Sequence, residues 1–148
     1  MSMDGYSYMN AIDYRQTQKL VNDVAKAING EYSAILCYER IAHMARNEKT
    51  RNQILEIRKD EIRHYHEFIG IYTRLTGQKP DVHHTEGCPS TYREALEFAL
   101  NDEQETVDFY MDIARGTKEH NIKEVFRNAA ADEQNHAVWF LYFLTMNK

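Results

Sequence analysis

Apolar side chains recur along this chain in alternating steps of three and four residues. That spacing lines up one face of an α-helix. Four such stretches are legible, over Asp13–Arg46, Lys49–Thr76, Thr91–Arg115 and Ile122–Met146. The seam of the first reads Leu20, Val24, Ala27, Glu31, Ala34, Tyr38, Ile41, Ala45. The second gives Ile54, Ile57, Glu61, His64, Phe68, Ile71, Leu75. The third gives Tyr92, Leu96, Ala99, Glu103, Thr106, Tyr110, Ile113, and the fourth Ile122, Phe126, Ala129, Glu133, His136, Phe140, Phe143. Apolar seams of this kind predict an all-α bundle of four helices. Each seam turns acidic, or acidic and imidazole-bearing, at its middle.

Punctuation agrees with this division. Both prolines, Pro80 and Pro89, fall in Gly77–Ser90, which predicts a crossover between two helix hairpins. Fully extended, its 14 residues reach about 46–50 Å, and a helix of ~28 residues is about 42 Å long. The crossover can therefore run the length of the bundle. Thr91 with Glu94 fits a capping box, Asn121 with Glu124 three residues on fits an N-cap, and Gly77 and Gly116 fit helix stops.

With 148 residues the expectation is one domain over 1–148. Only six glycines and two prolines are present, too few for a turn-dense β-fold. A net charge of -5 gives no basic footprint for nucleic acid and no polybasic patch for an anionic membrane. The longest apolar run, Ala137–Met146, is too short to span a bilayer. The first ten residues lack the pattern of a secretory signal, so the expected compartment is the cytoplasm. Two cysteines make neither a disulfide framework nor a four-cysteine metal site. Cys37 reads as a small buried hydrophobe.

The two halves repeat. A shift of 72 residues superposes Glu31 on Glu103, Tyr38 on Tyr110, Asp60-Glu61 on Asp132-Glu133, His64 on His136 and Phe68 on Phe140. Asp13–Thr76 then shows 11 identities without a gap. A pattern shared only through helical periodicity would preserve apolar character and let the acids drift. Here the identities concentrate on the polar seam positions.

Three residues is close to one helical turn, so Glu61 and His64 share a face, as do Glu133 and His136. Glu31 lies 16 residues before the turn at Asn47 and Glu61 lies 14 after it. These are heights of about 24 and 21 Å, so both reach one layer at mid-bundle. Solvated Glu–His pairs are the plain explanation for a single Glu-x-x-His. Two such pairs in apolar seams, each matched by a lone glutamate, call for another. Four buried carboxylates without compensation would be prohibitively costly. Two divalent cations would balance them with both histidines neutral, which predicts a dinuclear metal site. Glu105 competes with Glu103 but lies off the seam, and the repeat selects Glu103. His66 is off its seam, His43 has no counterpart, and His83-His84 read as crossover residues. Trp139, Phe140, Tyr142 and Phe143 are apolar round more of the helix than one seam needs. They fit a dimer interface or burial at the bundle end.

The segments AINGEYSAILCY with KDEIRHYHEF, and ALNDEQETVDFY with ADEQNHAVWF, resemble the ferritin-like di-iron carboxylate superfamily. They are most like rubrerythrin-type erythrin domains and bacterioferritin-like proteins, over roughly Gln18–Phe143. The resemblance implies a ferritin-like four-helix bundle with two duplicated hairpins. It implies that Glu61 and Glu133 bridge two metals, that Glu31 and Glu103 are terminal ligands, and that His64 and His136 bind one metal each. It also implies that Tyr38 and Tyr110 lie near the metals. Asp60 and Asp132 would each hydrogen-bond a histidine of the opposite half, fixing its tautomer.

The resemblance further implies two iron ions per chain, with manganese as the alternative, since oxygen and nitrogen donors suit both. The reaction implied is oxidation of Fe(II) by O2 or H2O2, in iron handling or oxidative-stress defence. Departures from the relatives shape this expectation. No Cys-x-x-Cys pairs of a rubredoxin domain are present, so peroxide turnover would need a separate electron donor. Thr106 occupies the position of the extra glutamate of rubrerythrins, which points toward a ferroxidase-like site. Only 12 residues follow His136, too few for the fifth helix of cage-forming ferritins, so a homodimer is expected. A binding protein without turnover is the second function class.

Overall fold

A computed structural model describes residues 3–85 and 87–147, with side chains from residue 13 onward. It contains α1 (Met3–Met44), α2 (Glu48–Thr76), α3 (Tyr92–Gly116) and α4 (His120–Met146). Among the described residues there is no strand. α1 pairs with α2 and α3 with α4 along their lengths, while α1 also meets α3 and α2 meets α4. The crossover carries the chain from the far end of α2 to the opposite end of the bundle, so the hairpins lie with α1 beside α3. The expected all-α bundle is the observed one.

Helix ends match the sequence expectation in part. Asn47 caps α2 by accepting from the Thr50 amide at 2.8 Å, and Thr91 caps α3 by accepting from the Glu94 amide at 3.3 Å. Gly77 ends α2 at φ 71°, a conformation for which glycine has no steric penalty. Gly116 differs: it is the last residue of α3, and Thr117 follows in extended conformation, so no left-handed stop is made. Asn121 also differs. α4 begins at His120 behind Glu119, which makes no side-chain cap and pairs instead with Arg74 of α2 at 3.1 Å. α1 starts ten residues earlier than its apolar periodicity, because no proline interrupts Met3–Ile12.

The core is divided in two. At one end Tyr38, Ile41, Ile54, Ile57, Leu96 and Phe140 pack together. At the other Ile28, Phe68, Tyr110, Ile122 and Phe126 do so, with Phe68 stacked on Phe126 at 4.4 Å between ring centres. Burying a side chain of this size contributes about 1.5–3 kcal/mol. These clusters hold the four helices rigidly on both sides of a polar layer.

The crossover is fastened to α1 at three positions spaced four residues apart. The His83 amide donates to Asn29 Oδ1 and the Thr85 amide to Ser33 Oγ, both at 3.0 Å. Cys88 is bonded to Cys37 in a disulfide. Cys37 is buried as expected, yet it is not a free thiol. The pairing arises because the crossover lays Cys88 on the α1 stripe formed by residues 29, 33 and 37.

Candidate metal centre

The polar layer between the two core clusters contains Glu31 from α1, Glu61 and His64 from α2, Glu103 from α3, and Glu133 and His136 from α4. All six are at least 98% buried. Their donor atoms form two groups, Glu31–Glu61–His64–Glu133 and Glu61–Glu103–Glu133–His136, each with its atoms within 4.8 Å of one another. Glu61 and Glu133 belong to both groups. The residues that the sequence placed in one layer are thus brought together there. Glu105, the competitor of Glu103, is exposed, as are His43, His66, His83 and His84.

The imidazoles face two ways. His64 Nε2 donates to Asp132 Oδ2 and His136 Nε2 to Asp60 Oδ2, each at 2.8 Å. The pairing crosses between the halves, as the resemblance implies. Each Nδ1 turns inward: His64 Nδ1 lies 3.0 Å from Glu133 and 3.6 Å from both Glu31 and Glu61. His136 Nδ1 lies 3.1 Å from Glu61, 3.6 Å from Glu103 and 3.9 Å from Glu133. These approaches lack hydrogen-bond geometry, and both Nδ1 atoms have no hydrogen-bond partner. Glu31 Oε2, Glu61 Oε1, Glu103 Oε2 and Glu133 Oε1 are orphaned in the same way. Six buried polar atoms without partners, gathered in one layer, form a donor set that could hold a cation.

One oxygen of Glu103 and one of Glu31 are held by tyrosines. Tyr38 OH donates to Glu103 Oε1 and Tyr110 OH to Glu31 Oε1, again from one half to the other. Tyr38 and Tyr110 are both buried, so they pack in the core and also orient the acids. Burial, reinforced by the neighbouring carboxylates, pushes both phenols well above their ordinary range, which keeps them as donors.

Burial and the crowding of carboxylates favour the protonated forms of Glu61 and Glu133, and the carboxylates favour those of both histidines. Burial raises Glu61, and Glu31 and Glu103 raise it further. Burial and then Glu103, Glu61 and Glu31 do the same to Glu133. Burial alone would lower the imidazoles. The Asp132 hydrogen bond and the Glu31 and Glu61 carboxylates outweigh it at His64, which is pushed up to about 10. Glu103 and Glu61 outweigh it at His136, pushed up to about 11. A divalent cation would take the place of these protons. The donor set of carboxylate oxygen and imidazole nitrogen fits iron or manganese.

Arg63 is a participant that the sequence reading did not single out. Its Nη2 reaches Asp60 Oδ1 at 3.1 Å and Asp132 Oδ2 at 3.0 Å. One guanidinium thereby ties α2 to α4 outside both histidines. A 72-residue shift sets it on Asn135, so the repeat conceals it. Its position three residues after Asp60 was the available signal.

The fold and the doubled Glu-x-x-His layer define the ferritin-like class. A family model described as rubrerythrin matches residues 94–147. The uncharacterized protein YhjR of Bacillus subtilis (strain 168) is 49% identical over 140 residues, covering 94% of this chain and 97% of that one. A ferritin-like, diiron-carboxylate protein of Bacillus anthracis str. Ames shares the fold with a TM-score of 0.76 at 23% identity, covering 87% of this chain and 97% of that chain. The bacterioferritin of Desulfovibrio desulfuricans gives 0.75 at 21% identity, covering 88% of this chain and 81% of that chain. The chain therefore belongs to one family with YhjR, has the ferritin-like four-helix fold, and carries a rubrerythrin-type match over its second hairpin.

Proposed function

We propose that the chain binds two iron ions between its four helices and oxidises Fe(II) with O2 or H2O2, in iron handling or oxidative-stress defence. The observation that carries this is the pair of buried donor groups sharing Glu61 and Glu133, with their inward atoms unpartnered. Glu31, Glu61, His64 and Glu133 would hold one ion, and Glu61, Glu103, Glu133 and His136 the other. Two Fe(II) ions held there would together supply two electrons to an oxidant. The chain's own part is positioning. Asp60 and Asp132 fix the tautomers, Tyr38 and Tyr110 fix Glu103 and Glu31, and the two apolar clusters keep bulk water from either end of the layer.

The proposal extends to a homodimer in the cytoplasm. Val138, Leu141, Tyr142 and Met146 are exposed and fall on one face of α4, an apolar strip of the kind that covers a partner. Among the described residues no helix is long and apolar enough to cross a membrane. Disulfides are uncommon in a reducing cytosol. Finding the Cys37–Cys88 bond intact after alkylation of living cells would therefore contradict the compartment.

Anaerobic titration of the metal-free protein with Fe(II), followed by admission of O2 or H2O2, tests the activity. Saturation at two irons per chain with fast oxidation, lost in Glu61→Ala, is expected. Binding without oxidation would leave a metal-binding protein without turnover. The rubrerythrin match favours one further reading, a peroxide reductase served by a separate electron donor. Faster oxidation by H2O2 than by O2, with turnover only when a reductant protein is added, would select it.

A further inference from the structure

A cavity of about 200 Å³ opens between α1 and α3, and its floor is Glu31, Glu61 and Glu133. This volume accommodates several waters and is below the usual range for organic-ligand pockets. Lys26, Glu105 and Thr106 line it nearer the surface, and Thr85 of the crossover also borders it. Thr85 is held in place by its amide bond to Ser33. On the α2–α4 side the centre is instead crossed by the Arg63 ion pairs to Asp60 and Asp132. The two sides of the layer are therefore unlike, and the repeat, which sets α1 on α3 and α2 on α4, does not exchange them.

Gly30 lies in the wall of this cavity, in the middle of α1. Its φ is not positive, so the backbone does not require glycine. A Cβ built there meets nothing within 4 Å, so neither packing nor close approach requires it. Glycine inside a helix is nonetheless unfavourable compared with alanine. What glycine does at this position is leave the passage wide.

The geometry points to Gly30 as the residue that keeps open the entry port of the metal centre, and to a divalent cation as what passes through it. The inference rests on the metal-centre reading above and adds its route. The cation is favoured by Glu105 at the rim and by the unpartnered oxygens of Glu31, Glu61 and Glu133 at the floor. Lys26 sets one positive charge at the rim, its ammonium over the Phe109 ring at 4.7 Å, so the attraction for a cation comes from the carboxylates that outnumber it.

Stopped-flow uptake of Co(II) by the metal-free full chain tests this without any turnover. Gly30→Leu fills the passage from α1, and Thr106→Leu narrows it from α3. Gly70→Leu is the control, since a Cβ at Gly70 also meets open space, on exposed α2. Gly30→Leu is expected to keep a melting temperature at least equal to that of the parent, to reach the same Co(II) stoichiometry, and to fill ten-fold or more slowly. Thr106→Leu slows filling to a smaller degree, and Gly70→Leu fills at the parent rate. Uptake by the parent slows as salt is raised, as expected for a steered cation. Parent-rate filling of Gly30→Leu and Thr106→Leu would overturn the port. Absence of Co(II) binding by the parent would instead overturn the metal centre itself.

Discussion

Asp60→Asn is expected to weaken the metal group built on the opposite hairpin. Asp60 belongs to α2, yet its Oδ2 accepts from His136 Nε2 of α4 at 2.8 Å. A hydrogen bond to a charged acceptor contributes about 1.5–3 kcal/mol, against about 0.5–1.5 kcal/mol for a neutral one. Asparagine keeps a carbonyl and loses the charge, so the cost is about 1–1.5 kcal/mol. Asp60 is 38% exposed at its side chain, and water screens part of that difference. The expected loss is about five- to ten-fold in affinity for one ion of the two, at 1.36 kcal/mol per decade. The assay is optical Co(II) titration of single and double variants. Asp60→Asn with His136→Ala is expected to be non-additive, because both act on one imidazole. Asp60→Asn with His64→Ala is expected to be additive. The reverse pattern, or equal weakening of both ions by Asp60→Asn alone, would refute the crossed wiring.

Other outcomes follow from the same contacts. Without metal, His64 and His136 stand near 10 and 11, above their ordinary 6.5, so the folded state holds their protons more tightly. That stability is complete below about pH 6.5 and is lost as pH rises through 10–11; Glu61 and Glu133, also raised, act in the same direction. Urea midpoints of the metal-free protein should therefore fall between pH 7 and 10, and a rise would contradict the assignment. The Cys37–Cys88 bond joins positions 51 residues apart, for which the chain-entropy model gives about 4 kcal/mol as an upper figure. Reduction should lower the denaturant midpoint in the parent and leave Cys37→Ser unaffected; an unchanged parent would mean that the crossover is held by Asn29 and Ser33 alone. Leu141→Asp, on the exposed strip of α4, should convert a dimer to a monomer in sedimentation, whereas an unchanged mass would remove that face from the proposed interface.

The helices were legible because one apolar stripe must face one core, and that requirement writes a period into the sequence. The polar layer was legible for a related reason. Duplication preserved Glu31 with Glu103 and His64 with His136 at equal heights, where chance would have scattered them. Arg63 escaped because its repeat partner is Asn135, and a half-exposed arginine on a helix looks like ordinary solvated surface. The disulfide escaped because it depends on the path of the crossover. Nothing local to Cys37 or Cys88 encodes that residues 83–88 lie against the 29–33–37 stripe. Asn121 looked like a cap because asparagine often is one. The Arg74–Glu119 contact instead accompanies a start two residues earlier, a tertiary effect outside local propensity.

Anomalous diffraction at the iron edge, from crystals of the metal-free protein soaked anaerobically in Fe(II), tests the central claim most directly. The account predicts two peaks inside the bundle, about 3.5–4 Å apart as in other two-metal sites. One should lie among Glu31, Glu61, His64 and Glu133, and the other among Glu61, Glu103, Glu133 and His136. An empty polar layer, or iron bound only at the protein surface, would contradict it.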